Sequence, residues 1–221
     1  MSTVTTITGS STDWRTRYNT AALIFLVLVA ALFALPASSH ETADGAGGTG
    51  ITVQLSSEVE RARNYFTDTV LTTHEGNEVR FYSDLLEGRV VMINVMYTSC
   101  KGSCPLVTQM MSQVSRDLGD LYGSEIHFVS MTNDPERDSP EALAEFARKQ
   151  NVDLDGWTFL TGDRQEIEGV IQKIGLYTPN FEQHKAMILI GNTRTGHWQK
   201  IRPNIPYQAI AAKLKELVAE A

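Results

Sequence analysis

The stretch Val90-Val91-Met92-Ile93-Asn94-Val95-Met96 runs for seven residues with a single polar side chain, and shortly after it come the chain's two cysteines, Cys100 and Cys104, with Pro105 directly behind. A continuous apolar run of this kind is the pattern of a strand covered on both faces. After Pro105 the apolar positions Leu106, Met110, Val114, Leu118 and Leu121 recur at helical spacing, which predicts an amphipathic helix with those residues on its buried side. A doubly covered strand that turns directly into a helix belongs to an α/β domain, and it places the cysteine pair at the carboxyl end of the sheet.

The remaining elements fit that frame. Ile126 to Met131 reads as a second buried strand. Ser139, Pro140 and Glu141 read as N-cap, first helical position and acidic first turn of a helix running to about Gln150. Trp157 to Leu160 is a third strand, and Asp163 with Glu166 starts a helix carrying Ile167, Val170, Ile171 and Ile174. Lys185 to Ile190 and His197 to Ile201 flank the turn-rich stretch Gly191 to Gly196 as a hairpin. A last helix, roughly Pro206 to Ala219, buries Ile210, Leu214, Leu217 and Val218. Upstream, Val70 to Thr73 and Val79 to Tyr82 flank His74-Glu75-Gly76-Asn77 as another hairpin. The core order β-α-β-α-β-β-α, with a cysteine pair after its first strand, predicts a thioredoxin-like fold preceded by an N-terminal β-hairpin.

The first 63 residues have a different character. Ala21 to Leu35 is apolar, is extended weakly by Pro36 and Ala37, and follows Arg15 and Arg17. Basic residues ahead of an apolar segment keep that side cytoplasmic, so the rest of the chain is expected on the exported side. A run of this length lies between a signal-peptide core and a full span. Ala37 and Ser39 suit cleavage, whereas the long polar lead favours an uncleaved anchor. Ser38 to Gly50 is small and polar, a flexible tether. Its Gly45, Gly47 and Gly50 match G-x-G-x-x-G but lack the strand and helix that fingerprint needs. The expected organisation is a cytoplasmic lead over 1–20, a transmembrane anchor or signal over 21–37, a tether over 38–63 and the thioredoxin-like domain over 64–221. With a net charge of −7 and no Lys/Arg cluster, the chain offers no footprint for a phosphate backbone. Nucleic acid is not expected as a partner. Nothing resembles an interface stripe, so a monomer is expected.

The chemistry concentrates at Cys100-Lys101-Gly102-Ser103-Cys104-Pro105. A helix N-terminus stabilises thiolate over thiol. C-x-x-x-C spacing allows one helical turn to bring both sulfurs to one face as soft ligands. A plain disulfide closing so short a loop would contribute little. For a third donor there are five histidines. His40 lies in the tether and His74 in a hairpin turn, both expected to be solvated. His127, inside the second strand, and His197, at the start of a hairpin strand, read as packing or surface residues. His184 stands directly before the strand Lys185 to Ile190, whose entering loop in a thioredoxin-like fold faces the cysteine pair. Two thiolates and one imidazole make a three-coordinate site suited to Cu(I), with Cu(II) accessible; zinc would ask for a fourth ligand. Methionines 92, 96, 110, 111, 131 and 187 fall on strands and a helix at core positions, which favours packing over ligation. The acidic run Asp134-Pro135-Glu136-Arg137-Asp138 reads as a solvated loop capping the next helix.

Three segments in order, VVMINVMYTSCKGSCPLVT, SMTNDPERDSPEALAEFA and EQHKAMILI, closely resemble the Sco/SenC family, copper chaperones for assembly of cytochrome c oxidase, over roughly residues 64 to 220. The resemblance implies that Cys100, Cys104 and His184 are the copper ligands and that Asp134 is an acidic neighbour of the site. It also implies delivery of copper to the dinuclear copper centre of the oxidase's copper-bearing subunit. The setting would be an inner membrane, with the domain on its periplasmic or intermembrane-space side and other periplasmic copper chaperones or thiol reductants as further partners. Many members carry Pro after the first cysteine where this chain has Lys101. That cation would favour a thiolate whether for metal or for exchange. An enzymatic alternative stays open: Cys100 attacks a disulfide, such as the oxidised cysteines of the oxidase copper site, and Cys104 resolves the mixed disulfide. A thiol peroxidase finds no support beyond the shared fold.

Overall fold

The computed structural model describes residues 60–62, 64–152, 155–178 and 186–220. Its strands and helices are β1 (Val70–Thr73), β2 (Glu78–Arg80), a π-helical turn (Phe81–Leu86), β3 (Val90–Met96), α1 (Ser103–Leu118), β4 (Ile126–Thr132), α2 (Pro140–Lys149), β5 (Trp157–Thr161), α3 (Arg164–Lys173), β6 (Ile188–Asn192), β7 (His197–Ile201) and α4 (Tyr207–Ala219). The strands form one mixed sheet in the order β2-β1-β5-β4-β3-β6-β7. The parallel strands β3, β4 and β5 lie at its centre, flanked by antiparallel β6 and β1. This is the expected α/β thioredoxin-like architecture with its N-terminal hairpin.

The alternation of side chains along β3 divides the core in two. Val90, Met92 and Met96 join Phe128, Trp157, Ile190 and the inner faces of α1, α2 and α4 on one side. Val91, Ile93 and Val95 join Val129, Met131, Leu160, the π-helical turn and α3 on the other. A continuous apolar strand is what a sheet covered on both faces requires. Within the first cluster a polar ladder crosses three strands: Trp157 Nε1 donates to Ser130 Oγ at 2.8 Å, and that hydroxyl donates to Asn94 Oδ1 at 2.6 Å. Asn94, the one polar residue of the run, is thereby satisfied in the interior. Met92, Met96, Met111 and Met131 are fully buried in these clusters, with Met110 and Met187 packed against them.

Four expectations need correction. The second hairpin strand ends at Arg80 rather than Tyr82, because a strand would send Phe81 and Tyr82 to opposite faces, whereas the π-helical turn buries both. Asp84 pins that turn, accepting from the Arg80 backbone N–H at 2.7 Å. In α1 the buried side is rotated from the expected stripe: Cys104, Val107, Met111, Val114 and Leu118 face inward, Leu106 is 68% exposed and Met110 is only partly buried. Strand β6 starts at Ile188 and takes in Gly191 and Asn192, the first two residues of the turn-rich stretch. Asn192 is held there by donating to Leu217 O at 2.7 Å, and Gly191 because its register partner Trp198 lies where a side chain would be. His74 is half-buried, not solvated: its Nδ1 accepts from the Phe159 N–H at 3.3 Å. His184, Lys185, His40 and the apolar run 21–37 lie outside the described residues. No helix among the described residues is long and apolar enough to cross a membrane.

Candidate metal centre

In register, the carboxyl ends of β3 and β4 finish together, with Met96 opposite Thr132. That brings the loop carrying Cys100 beside the loop carrying Asp134 and Asp138, and the Asn133 N–H donates to Met96 O at 3.1 Å across the gap. From Met96 the chain turns through Tyr97 to Gly102, with the Cys100 N–H donating to Tyr97 O at 3.2 Å. Gly102 occupies the N-cap position of α1 without a capping side chain, so the first helical N–H groups are left for another acceptor.

The sulfur of Cys100 takes that place. Both cysteines are free thiols, Cys104 4% exposed in the first turn of α1 and Cys100 half-buried just ahead of it. Burial works to raise the Cys100 thiol, but hydrogen bonds from the Cys104 thiol, from the Cys104 and Gly102 N–H groups and from the Tyr97 hydroxyl outweigh it and hold the group below its ordinary range. Burial, and then its neighbour Cys100, push the Cys104 thiol up to about 12, against a hydrogen bond from the Tyr97 N–H. The two thiols are thus driven apart, Cys100 toward the thiolate and Cys104 toward the protonated form. Lys101 is exposed, as a loop lysine in water would be.

The acidic run after β4 is not a uniformly solvated loop. Glu136 and Arg137 are exposed, but Asp134 is 6% exposed and Asp138 is fully buried. Asp134 faces Arg137 at 3.4 Å and Arg164 at 4.0 Å, which ties the loop to α3. Asp138 reaches the cysteine loop: its carboxylate accepts from the Thr98 N–H at 3.0 Å, from the Thr98 hydroxyl and from the Thr132 hydroxyl. Ser139 still caps α2 as expected, accepting from the Ala142 N–H at 3.3 Å. Asp134 is legible in the sequence as a neighbour of the site, whereas Tyr97, Thr98 and Asp138 are not. The available signal was a second Asp in the same short motif, placed just before a helix cap that did not need it.

The structure therefore brings Cys100 and Cys104 together. His127 has a buried Nδ1 without a partner and is half-buried in β4, and His197 pairs with Glu220 at 2.8 Å on the surface, in line with packing and surface roles. Among the described residues no group of three His, Cys, Asp or Glu side chains is placed to hold a metal. Two adjacent sulfurs, one of them partly accessible at a helix N-terminus, form a donor set for a soft ion or a dithiol for exchange.

The SCO1/SenC family model matches residues 58–219. The chain is 33% identical over 150 residues to a SCO1 protein homolog of Bacillus subtilis, a match covering 67% of this chain and 65% of that protein. It is similar in structure to BsSco, a member of the Sco family of cytochrome c oxidase assembly proteins in which a disulfide switch has been identified, with a TM-score of 0.59 and 25% identity over 68% of this chain and 91% of the other. It also resembles Bradyrhizobium japonicum ScoI, solved with copper bound, with a TM-score of 0.57 and 26% identity over 67% of this chain and 96% of the other.

Proposed function

The chain belongs to the SCO1/SenC family, and from that premise we propose that it binds copper through Cys100, Cys104 and His184 and delivers it to the dinuclear copper centre of cytochrome c oxidase during assembly. The observation that carries this reading is the pair of sulfurs brought next to each other at the start of α1, Cys104 buried and Cys100 open to the outside. Two thiolates and an imidazole suit Cu(I) and leave the ion open to an incoming thiolate, so transfer proceeds by ligand exchange. Copper bound to ScoI of Bradyrhizobium japonicum supports the choice of metal. In this reading residues 21–37 anchor the chain in the inner membrane and 38–63 tether the domain on the periplasmic or intermembrane-space side.

The unlike surroundings of the two sulfurs favour a second reading. A thiol held low beside one pushed up to about 12 is the arrangement of an attacking and a resolving cysteine, which would reduce the disulfide of the oxidase copper site. His184→Ala separates the two. As a chaperone, the variant loses transfer of Cu(I) to a two-cysteine acceptor domain of the oxidase subunit; as a reductase, it keeps its rate of reducing that domain's disulfide. A variant that transfers copper as well as the wild type contradicts the first reading.

A further inference from the structure

Asp138 carries a carboxylate with no access to water, a costly arrangement unless donors surround it. Two of its donors are the N–H and hydroxyl of Thr98, 40 residues earlier in the cysteine loop, and the third is the hydroxyl of Thr132 at the end of β4. Its own N–H donates to Asp134 O at 3.0 Å, so the loop that holds it is itself closed. Thr98 is bonded in sequence to Tyr97, whose carbonyl accepts from the Cys100 N–H at 3.2 Å and whose hydroxyl and N–H bear on the thiols of Cys100 and Cys104 respectively.

We propose that Asp138 is the positioning residue of the cysteine pair: by clamping Thr98 it fixes Tyr97, and through Tyr97 it sets where the two sulfurs stand. The inference rests on the copper-site reading for its purpose and on the hydrogen-bond chain alone for its geometry. Asp138 itself touches neither sulfur. The N-cap of α1 is a glycine with no capping side chain, so the segment ahead of Cys100 takes its side-chain anchorage from the β4–α2 loop.

The test uses the full chain with three substitutions. Thr98→Val removes one hydroxyl donor and keeps the shape and the N–H; Thr98→Ser restores the hydroxyl; Asp138→Asn keeps the shape but cannot accept from all three donors. Three readouts report on the sulfurs rather than on folding. These are the ratio of iodoacetamide labelling at Cys100 to that at Cys104 in the metal-free chain, the energy of the thiolate-to-Cu(II) charge-transfer band in the loaded chain, and the affinity for Cu(I). Thr98→Val and Asp138→Asn should lower the labelling ratio, shift the band and weaken Cu(I) binding by about tenfold, the low end for loss of an outer hydrogen-bond partner. Thr98→Ser should return all three to wild type. Variants that melt earlier yet keep the labelling ratio, the band and the affinity overturn the proposal, leaving Asp138 a purely structural clamp. If Asp138→Asn fails to fold, Thr98→Val against Thr98→Ser carries the test. If the wild type binds no copper the metal reading falls, while the labelling ratio still decides the clamp.

Discussion

The sulfurs of Cys100 and Cys104 are hydrogen-bonded to each other and driven in opposite directions, Cys100 down by donors from its partner and from the start of α1, Cys104 up to about 12 by burial. Each favours the other's state: a proton kept on Cys104 is the one that stabilises a thiolate on Cys100. Alkylation of the reduced chain should therefore be strongly selective. Cys100 should react at a pH below the ordinary thiol range, and Cys104 should stay silent until the medium is strongly alkaline or the chain unfolds. Peptide mapping after brief iodoacetamide treatment across a pH series checks this; equal labelling of both at neutral pH would contradict it.

Burial lowers His74 and His127, the latter helped by the charge of Arg89. A folded-state pKa below the unfolded value of about 6.5 means that the unfolded chain takes up protons first as the pH falls. The stability these residues contribute is complete above about 6.5 and is lost as the pH drops through that value toward the lower folded pKa. Melting temperature should accordingly fall between neutral and mildly acidic pH, and His74→Asn with His127→Asn should flatten that slope. An unchanged slope in the double variant would contradict the assignment.

Gly191 lies opposite Trp198, and a Cβ placed on it would stand 2.2 Å from the indole ring. The contact is with a large ring anchored on Phe66 at 4.6 Å between centroids, so it yields poorly. Gly191→Ala should destabilise the domain by about 1–3 kcal/mol, the usual cost of overpacking. Adding Trp198→Ala should recover part of that loss in a double-mutant cycle followed by denaturant unfolding.

In α1, Met111→Ala should cost about 2–5 kcal/mol, as truncation of a core side chain does, whereas Leu106→Ala should change stability by no more than about 0.5 kcal/mol. Chemical denaturation of the two variants checks the direction in which the helix faces. The reverse order would restore the stripe that spacing alone suggested.

That helix shows where sequence reading reaches its limit. Strand β3 was legible because a buried strand is continuous, β7 because it follows a turn-rich stretch, and the caps of α2 and α3 because cap residues act on their own backbone. Leu106 and Val107 are equally apolar, and only the position of the sheet decides which one faces it. Gly191 and Asn192 carried turn chemistry but are held in β6 by Trp198 and by the carbonyl of Leu217, contacts distant in sequence. The cysteine pair was legible from its own spacing and from the strand before it. Asp138 was not, because its meaning depends on Thr98, which approaches only once β3 and β4 pair in parallel. A charge in a short acidic run looks solvated until the partner strand is in place.

The most direct test of the copper account is a Cu(I) titration of the reduced full chain against a competing chelator, comparing the wild type with His184→Ala and with Cys100→Ser/Cys104→Ser. The account predicts one tightly bound equivalent in the wild type, none in the double serine variant and an affinity weakened by at least about tenfold without the imidazole. Equal affinity in the wild type and His184→Ala, or copper retained without both cysteines, would contradict it.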